Sequence, residues 1–478
     1  MASIWGFAIG NISGTIYFFF FQLIGFLLCS LFLSKKNFIT RILCGSVLGS
    51  VLLQWIPALF AFIFQFSVKA HIAAALFCTL AAAILFYMKK PQENLFSFPL
   101  DHLKTLAKRH WIFLLLCSIT FVLFCIMLFS HTLLPKEDGL HTGQCTYGDI
   151  NLHLSIITNL ARQQTFPPYY SISPGNKLSY PFLCDSISSS IYLFGASLRY
   201  AYMLPMYFAF LQVMTGFYCF AYTWLKKAAK ASLAWFFFFY NGGLGFVYFV
   251  DWSSNRIYQF KNIFMEYYQT PTNLIDNNIR WVNVIVDMFL PQRATLFGYA
   301  VLFTCIWLLY RSVFLREHDL FPFTAVLTAS LPMIHTHSFL AMALLSAAWL
   351  LADLCPKVNF PFKLRHPGKL LFAGFLIFML LIQLFNRQKG AVDGTHFLII
   401  CLIGLGVLFL SGMGFMIRHI RKNGIKKLMS TWGLYLFLIL LLSLPQLFYW
   451  TFGQASHTGF LTGRFNWGNQ GDDFLWFY

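Results

Sequence analysis

Apolar residues in this chain come in long, nearly unbroken runs rather than in the alternating or 3.6-residue patterns of half-buried elements. Runs near the length a helix needs to cross hydrocarbon recur at 15–33, 42–66, 72–88, 111–132, 201–225, 231–250, 294–312, 370–385, 397–416 and 431–450. The stretch 321–354 is interrupted by Ile334-His335-Thr336-His337 and reads as two half-length helices, Phe321–Ile334 and Ser338–Asp353. Together these predict twelve crossings. The first run has no basic segment before it and is long enough to remain as a span rather than serve as a cleaved signal. The stretch 186–197 is too short to cross and opens with Ser186, Ser188, Ser189 and Ser190, so it is expected to lie at the membrane interface.

Composition agrees with the pattern. The chain is 58% hydrophobic and only 10% charged, with 58 Phe among its 478 residues, and its mean hydropathy is +0.66. A soluble domain cannot hide that much apolar surface, so lipid must solvate most of it. The expected fold is an all-α polytopic bundle of about twelve spans with a large external loop carrying interfacial helices. Its expected portions are 1–110, with the first spans and a basic loop; 111–354, with external loops 133–200 and 251–293; and 355–478, with the last spans and an external tail.

The net charge of +18 changes the picture by orienting the molecule. Segments 34–41, 89–110, 226–230, 311–320, 355–369 and 418–427 hold 22 of the 34 basic residues. With twelve crossings all six fall on one side, which the positive-inside rule makes cytoplasmic, with both termini outward. The charge is therefore a topological signal and gives no reason to expect nucleic acid as a partner.

The external segments carry the candidate chemistry. In the run Thr146-Tyr147-Gly148-Asp149-Ile150-Asn151-Leu152-His153, Asp149 reads as the N-cap of a helix over 150–161, with His153 one turn later on the same face. These two residues alone fit either a chemical site or a capped helix with a packed histidine. His335 and His337 add weight, because ionisable groups at membrane depth usually line a cavity or pathway. Spaced two apart, they point in different directions on a helix, so one is expected to face the site.

Tyr147-Gly148-Asp149 through Ala161, Leu178-Ser179-Tyr180-Pro181, Pro291-Gln292-Arg293 and His335-Thr336-His337-Ser338 resemble the corresponding segments of the GT-C class of integral membrane glycosyltransferases. The likeness covers roughly 110–350, although the acidic loop follows the fourth span here and the first in many relatives. It implies an inverting hexosyl or pentosyl transferase that uses a polyprenyl-phosphate-sugar donor and a glycan, lipid or protein acceptor. It also implies a bacterial or archaeal plasma membrane with the site facing outward, and an acidic first-loop residue acting as catalytic base or metal ligand.

Physical argument assigns parts to the same residues. Transfer to a hydroxyl needs a carboxylate to take the acceptor's proton, and Asp149 is the best-placed outward candidate, with His153, His335 and His337 as further catalytic candidates. A lipid-phosphate leaving group needs a cation at headgroup depth. Arg293 stands at a span boundary, where arginines also serve as interfacial anchors; Lys136 and Arg464 are weaker candidates. Tyr180 and its aromatic neighbours suit sugar stacking or an interfacial belt. Asp149 and His153 could supply two ligands to a divalent ion, magnesium or manganese for an oxygen-rich set.

Of the 11 cysteines, only Cys145 and Cys184 are expected to face outward; a bond between them would close a loop of about 40 residues and remove about 4 kcal/mol of unfolded-state entropy. The rival reading is a lipid-linked oligosaccharide flippase or another transporter, which would distribute its charges through the spans, whereas the ionisable groups here gather at one face. Lys226→Cys checks the topology: the thiol is expected to react with an impermeant maleimide from the cytoplasmic side only, and labelling from outside would move the whole site to the other face.

Overall fold

The computed structural model describes residues 2–89, 100–143, 146–173, 175, 178, 180–241, 273–274, 279–280, 283–354, 414, 417, 420–421 and 424–449. They form an all-α helical bundle: α1 (Ala2–Phe32), α2 (Phe38–Phe64), α3 (Val68–Lys89), α4 (Leu100–Arg109), α5 (Trp111–His131), α6 (Tyr147–Thr158), α7 (Leu183–Leu193), α8 (Leu198–Leu225), α9 (Ala228–Phe239), α10 (Arg293–Phe314), α11 (Phe321–Ala329), α12 (Thr336–Leu354) and α13 (Leu434–Leu447), with short hairpins Leu134–Lys136/Gly139–His141 and Asn273–Leu274/Ile279–Arg280.

Eight helical stretches are long and apolar enough to cross a bilayer, and they make this an integral membrane protein. They are Ala8–Phe32, Phe38–Phe64, Val68–Lys89, Trp111–His131, Leu198–Leu225, Arg293–Phe314, Thr336–Leu354 and Met429–Leu447. Seven match an expected run; the eighth, Thr336–Leu354, stands where a half-length helix, Ser338–Asp353, was expected and is long enough to cross. Two others fall short: α9 has 12 residues within the described chain and α11 only 9. The runs 370–385 and nearly all of 397–416 lie outside the described residues.

The chain divides into two compact units, Met1–Trp307 with Leu327–Phe339, and Leu308–Val326 with Leu340–Phe474. In the second, Asp353 ties the described elements together, accepting from Arg316 at 2.6 Å and from the Trp432 indole at 2.9 Å.

The first unit holds every described candidate residue, and small side chains set its packing. Gly25 on α1 meets Gly45 and Gly49 on α2 so closely that a Cβ at Gly25 would collide with the backbone of both. Backbones pressed together in this way maximise dispersion contacts where lipid offers no hydrophobic driving force. Amides bridge the same helices: Gln212 of α8 donates to Ser46 at 2.7 Å and Ser50 at 3.1 Å, and Gln22 donates to Ser50 at 3.2 Å. Aromatic stacking holds the other side, with Phe113 on Tyr218 at 3.7 Å and Phe124 on Phe210 at 4.0 Å between ring centres.

Helix α7 differs from its expected interfacial placement. Its 11 residues, a rod of about 16 Å, include nine that are buried, Leu183 through Ile191 without a break. Serine makes this feasible. Ser186, Ser189 and Ser190 turn their hydroxyls back onto the carbonyls of Leu183, Asp185 and Ser186 at 2.8–3.0 Å, so no donor is stranded and the surface stays narrow enough for neighbours on every side. Its N-terminus is held by Leu183 N donating to Met333 O at 3.1 Å, and just past its far end Phe194 O accepts from Ser13 at 2.9 Å.

Gly25→Leu is expected to destabilise the protein by about 3 kcal/mol, because the added atoms meet backbone rather than movable side chains. Thermal unfolding of the purified protein in detergent, followed by monodispersity on a sizing column, measures it; an unchanged midpoint would mean that α1 and α2 separate without cost.

Candidate functional site

Three elements converge on Asp185 near the start of α7. His153 of α6 approaches with Nδ1 3.1 and 3.0 Å from the two carboxylate oxygens, and Arg293, the first residue of α10, places Nε 3.0 Å from Oδ1. The exposure of these side chains is 1% for His153 and 0% for both Asp185 and Arg293. A carboxylate so far from water persists as an ion only if opposite charge and donors replace its hydration, and here both are present.

Arg293 is enclosed on every face. One terminal nitrogen donates to Ser188 Oγ at 2.7 Å and Cys184 O at 3.1 Å, the other to Tyr202 O at 3.5 Å, and the guanidinium lies 4.5 Å from the Tyr202 ring centre. Buried beside the Asp185 carboxylate, with one terminal nitrogen held by α7 and the other by Tyr202 of α8, it is neither the lipid-phosphate ligand nor the interfacial anchor that its boundary position suggests.

The same geometry fixes one proton of His153. A carboxylate only accepts, so Nδ1 carries a proton and is the donor of this bond. Its hydrogen bond goes to Asp185 rather than to Asp149, one turn before it on α6.

Asp149 sits in the first turn of α6, whose N-cap is Thr146, three residues earlier than the expected cap. The shift follows from Thr146, whose hydroxyl donates to His131 O at 2.7 Å and Gly143 O at 3.0 Å and so fixes the chain where the helix starts. Asp149 is half-buried and forms no hydrogen bond or ion pair among the described residues. Tyr180 lies beside the cluster, its ring 5.8 Å from His153. Burial, with the neighbouring Cys184, Asp185 and Asp149, pushes its phenol far above the ordinary range, so it stays a neutral donor.

His335 occupies the turn between α11 and α12 and His337 the first turn of α12, so the break comes at Ser330–His335, after a shorter first helix than the pattern predicts. As expected, the two differ: His335 is buried and His337 exposed. Thr295 donates to Gln292 at 3.1 Å, so it accepts from His335 Nε2 at 3.4 Å, and Nδ1 accepts from Ser338 at 2.8 Å. The ring packs on Gly298, where a Cβ would collide with it. Both nitrogens of His335 are thus engaged by hydroxyls, two residues along α10 from Arg293. Lys136 stands exposed on the first hairpin, opposite Gly139, and Arg464 lies outside the described residues.

Among the described residues, one group has three potential metal donors within 4.8 Å of one another: His153, Cys184 and Asp185. It does not fit magnesium or manganese. Two of its donors are nitrogen and sulfur, its single carboxylate is already paired with Arg293, and burial pushes the Cys184 thiol well up, keeping it protonated. Asp149, the expected ligand, is not in the group. Cys184 is a free thiol turned toward Pro181 O at 3.9 Å, so the expected bond to Cys145 is absent at this end; Cys145 lies outside the described residues.

Sequence reading missed Asp185. The signal lay in the run Leu183-Cys184-Asp185-Ser186-Ile187, where a lone acid among apolar and small residues requires a cation as partner. Arg293, at the head of an apolar span, was the matching cation.

Asp185→Asn is expected to cost about 3–5 kcal/mol, since it leaves Arg293 buried without its counter-charge. Asp185→Asn combined with Arg293→Leu is expected to recover most of that loss. Denaturation midpoints of the two single variants and the double variant test the coupling; simple additivity would mean the pair does not act as a unit.

No family model, curated protein or solved structure matches this chain.

Proposed function

We propose that the chain is a membrane-embedded glycosyltransferase that moves a sugar from a lipid-phosphate donor to a hydroxyl acceptor at the outer face of a bacterial or archaeal plasma membrane. The observation that supports this most is the contrast between Asp149 and the groups around it. His153, Asp185, Arg293 and His335 are held by defined partners, while Asp149 is half-buried with no hydrogen bond or ion pair among the described residues. A carboxylate without a fixed partner beside a rigid polar frame is suited to accept a proton as an acceptor hydroxyl attacks.

In this reading Asp149 is the base and takes the acceptor's proton while the new glycosidic bond forms and the lipid phosphate departs. His153, its Nδ1–H fixed on Asp185, turns Nε2 toward a substrate hydroxyl, and the Tyr180 phenol donates. Asp185 and Arg293 position His153 and touch no substrate. No step is assigned to a metal, since the described donor group does not suit the magnesium or manganese expected.

Asp149→Asn is expected to retain the fold and lower transfer by about a hundredfold or more, as loss of a general base does. The assay uses purified protein with radiolabelled lipid-linked sugar and an acceptor mixture, following release of label from the lipid. Full activity in Asp149→Asn would remove the assignment. Label that stays on the lipid but changes leaflet would favour the transporter reading instead.

A further inference from the structure

The turn between α2 and α3 faces the end of the segment that continues α6, Asn159–Gln163 in a π-helical turn. Between them lies an open cavity of about 620 Å³. Its polar lining includes Gln65, Ser67, Lys69, Gln163, Gln164 and Thr165. Lys69 is the one ionisable group among the lining residues, and it forms no ion pair among the described residues. The cavity therefore carries a net positive charge, together with amide and hydroxyl groups that both donate and accept.

Its two walls are clasped. Phe66 N donates to Gln164 O at 3.0 Å, and Phe166 N donates to Gln65 Oε1 at 2.9 Å. The Phe66 and Phe166 rings stack behind at 6.4 Å. Gln65 and Gln164 both adopt left-handed backbone, φ 57° and 56°, a region that disfavours an L side chain. Glycine would fit either turn more easily, and glutamine instead places an amide at the cavity.

The position of the cavity indicates what fills it. Both flanking helices are long and apolar enough to cross a bilayer. Just beyond the polar lining, Phe62, Ile63 and Ile72 are 56%, 73% and 53% exposed, apolar surface that acyl chains would cover. The cavity thus stands where hydrocarbon gives way to headgroups. Among bulk membrane lipids, the headgroup of an anionic glycerophospholipid bears the negative charge and hydroxyls that this lining would hold and continues into hydrocarbon.

We propose that this cavity binds such a headgroup, with the phosphate on Lys69, the polyol hydroxyls on the glutamine amides and Thr165, and the chains along Phe62, Ile63 and Ile72. The site is separate from Asp149 and does not depend on the proposed transferase activity.

Native mass spectrometry of the full chain in detergent, titrated with phosphatidylglycerol or phosphatidylcholine, tests it. The unaltered protein is expected to retain phosphatidylglycerol in preference, and Lys69→Gln to weaken that retention about fivefold, the usual contribution of one lysine at a membrane surface. Gln164→Gly removes an amide while relieving the left-handed backbone, so it is expected to fold at least as well and still retain less lipid. Lys35→Gln, at the opposite end of α2, is the control and is expected to change nothing. Four results would each overturn the proposal: no preference between the lipids, retention unchanged in Lys69→Gln, equal loss in Lys35→Gln, or full displacement of the lipid by soluble glycerol phosphate, which would make the cavity a site for a free phosphate.

Discussion

The ion pair between Asp185 and Arg293 constrains the arrangement of the first unit. Neither charge touches water, so each is tolerable only while the other is in place. Asp185 stands near the start of α7 and Arg293 at the first residue of α10, more than a hundred positions apart in the chain. Satisfying the pair brings α7 against the head of α10, and the bond from His153 to the same carboxylate draws α6 in with them. The pair is thus less a source of net stability than a device that selects one packing of these elements over others.

The chemistry of α7 follows from the same requirement. A helix buried on all sides must be narrow and self-satisfied, and serine meets both needs by folding its hydroxyl onto the preceding turn. Leucine in those places would bury equally well but would hold neighbouring backbones apart and give Arg293 no hydroxyl at Ser188. At Gly25, Gly45 and Gly49 the same economy of volume lets α1 and α2 meet backbone to backbone. In a bilayer, where burying apolar surface gives little advantage over lipid, closeness of approach decides which helices pair.

Much of the fold was legible because span length is a one-dimensional constraint. A helix that crosses hydrocarbon must be apolar over about 20 residues, and seven of the eight span-length stretches stand where such runs were read, the eighth being Thr336–Leu354, read as a half-length helix. The site was less legible, because partners were sought by sequence spacing. Asp149 and His153 are one helical turn apart, yet His153 turns to Asp185, 32 positions away, because a charge buried at α7 needs a donor more than a half-exposed carboxylate does. Arg293 was read as a boundary arginine free to meet lipid phosphate, and helix α7, read as interfacial, buries it instead. Once α7 is inside, the role of Arg293 changes with it. His335 and His337 do differ in exposure, but because His335 lies in the turn before α12 and His337 in its first turn, not because both stand on one helix.

The groups held by partners and those held by none are distributed differently. His153, Asp185, Arg293, Thr295 and His335 form two adjoining networks linked through the first turn of α10, both shielded from water. Asp149, one turn before His153 on α6, and Lys69, beyond the far end of the same segment, form no ion pair among the described residues. A single continuous segment, α6 with its π-helical extension to Gln163, therefore runs from a half-buried carboxylate to a cationic cavity, anchored between them by His153. Because Asp185 holds that anchor and Arg293 holds Asp185, the placement of the segment depends on a pair that no ligand reaches. Binding at either end can then reorganise side chains locally without disturbing the frame, which is what a site on rigid elements requires.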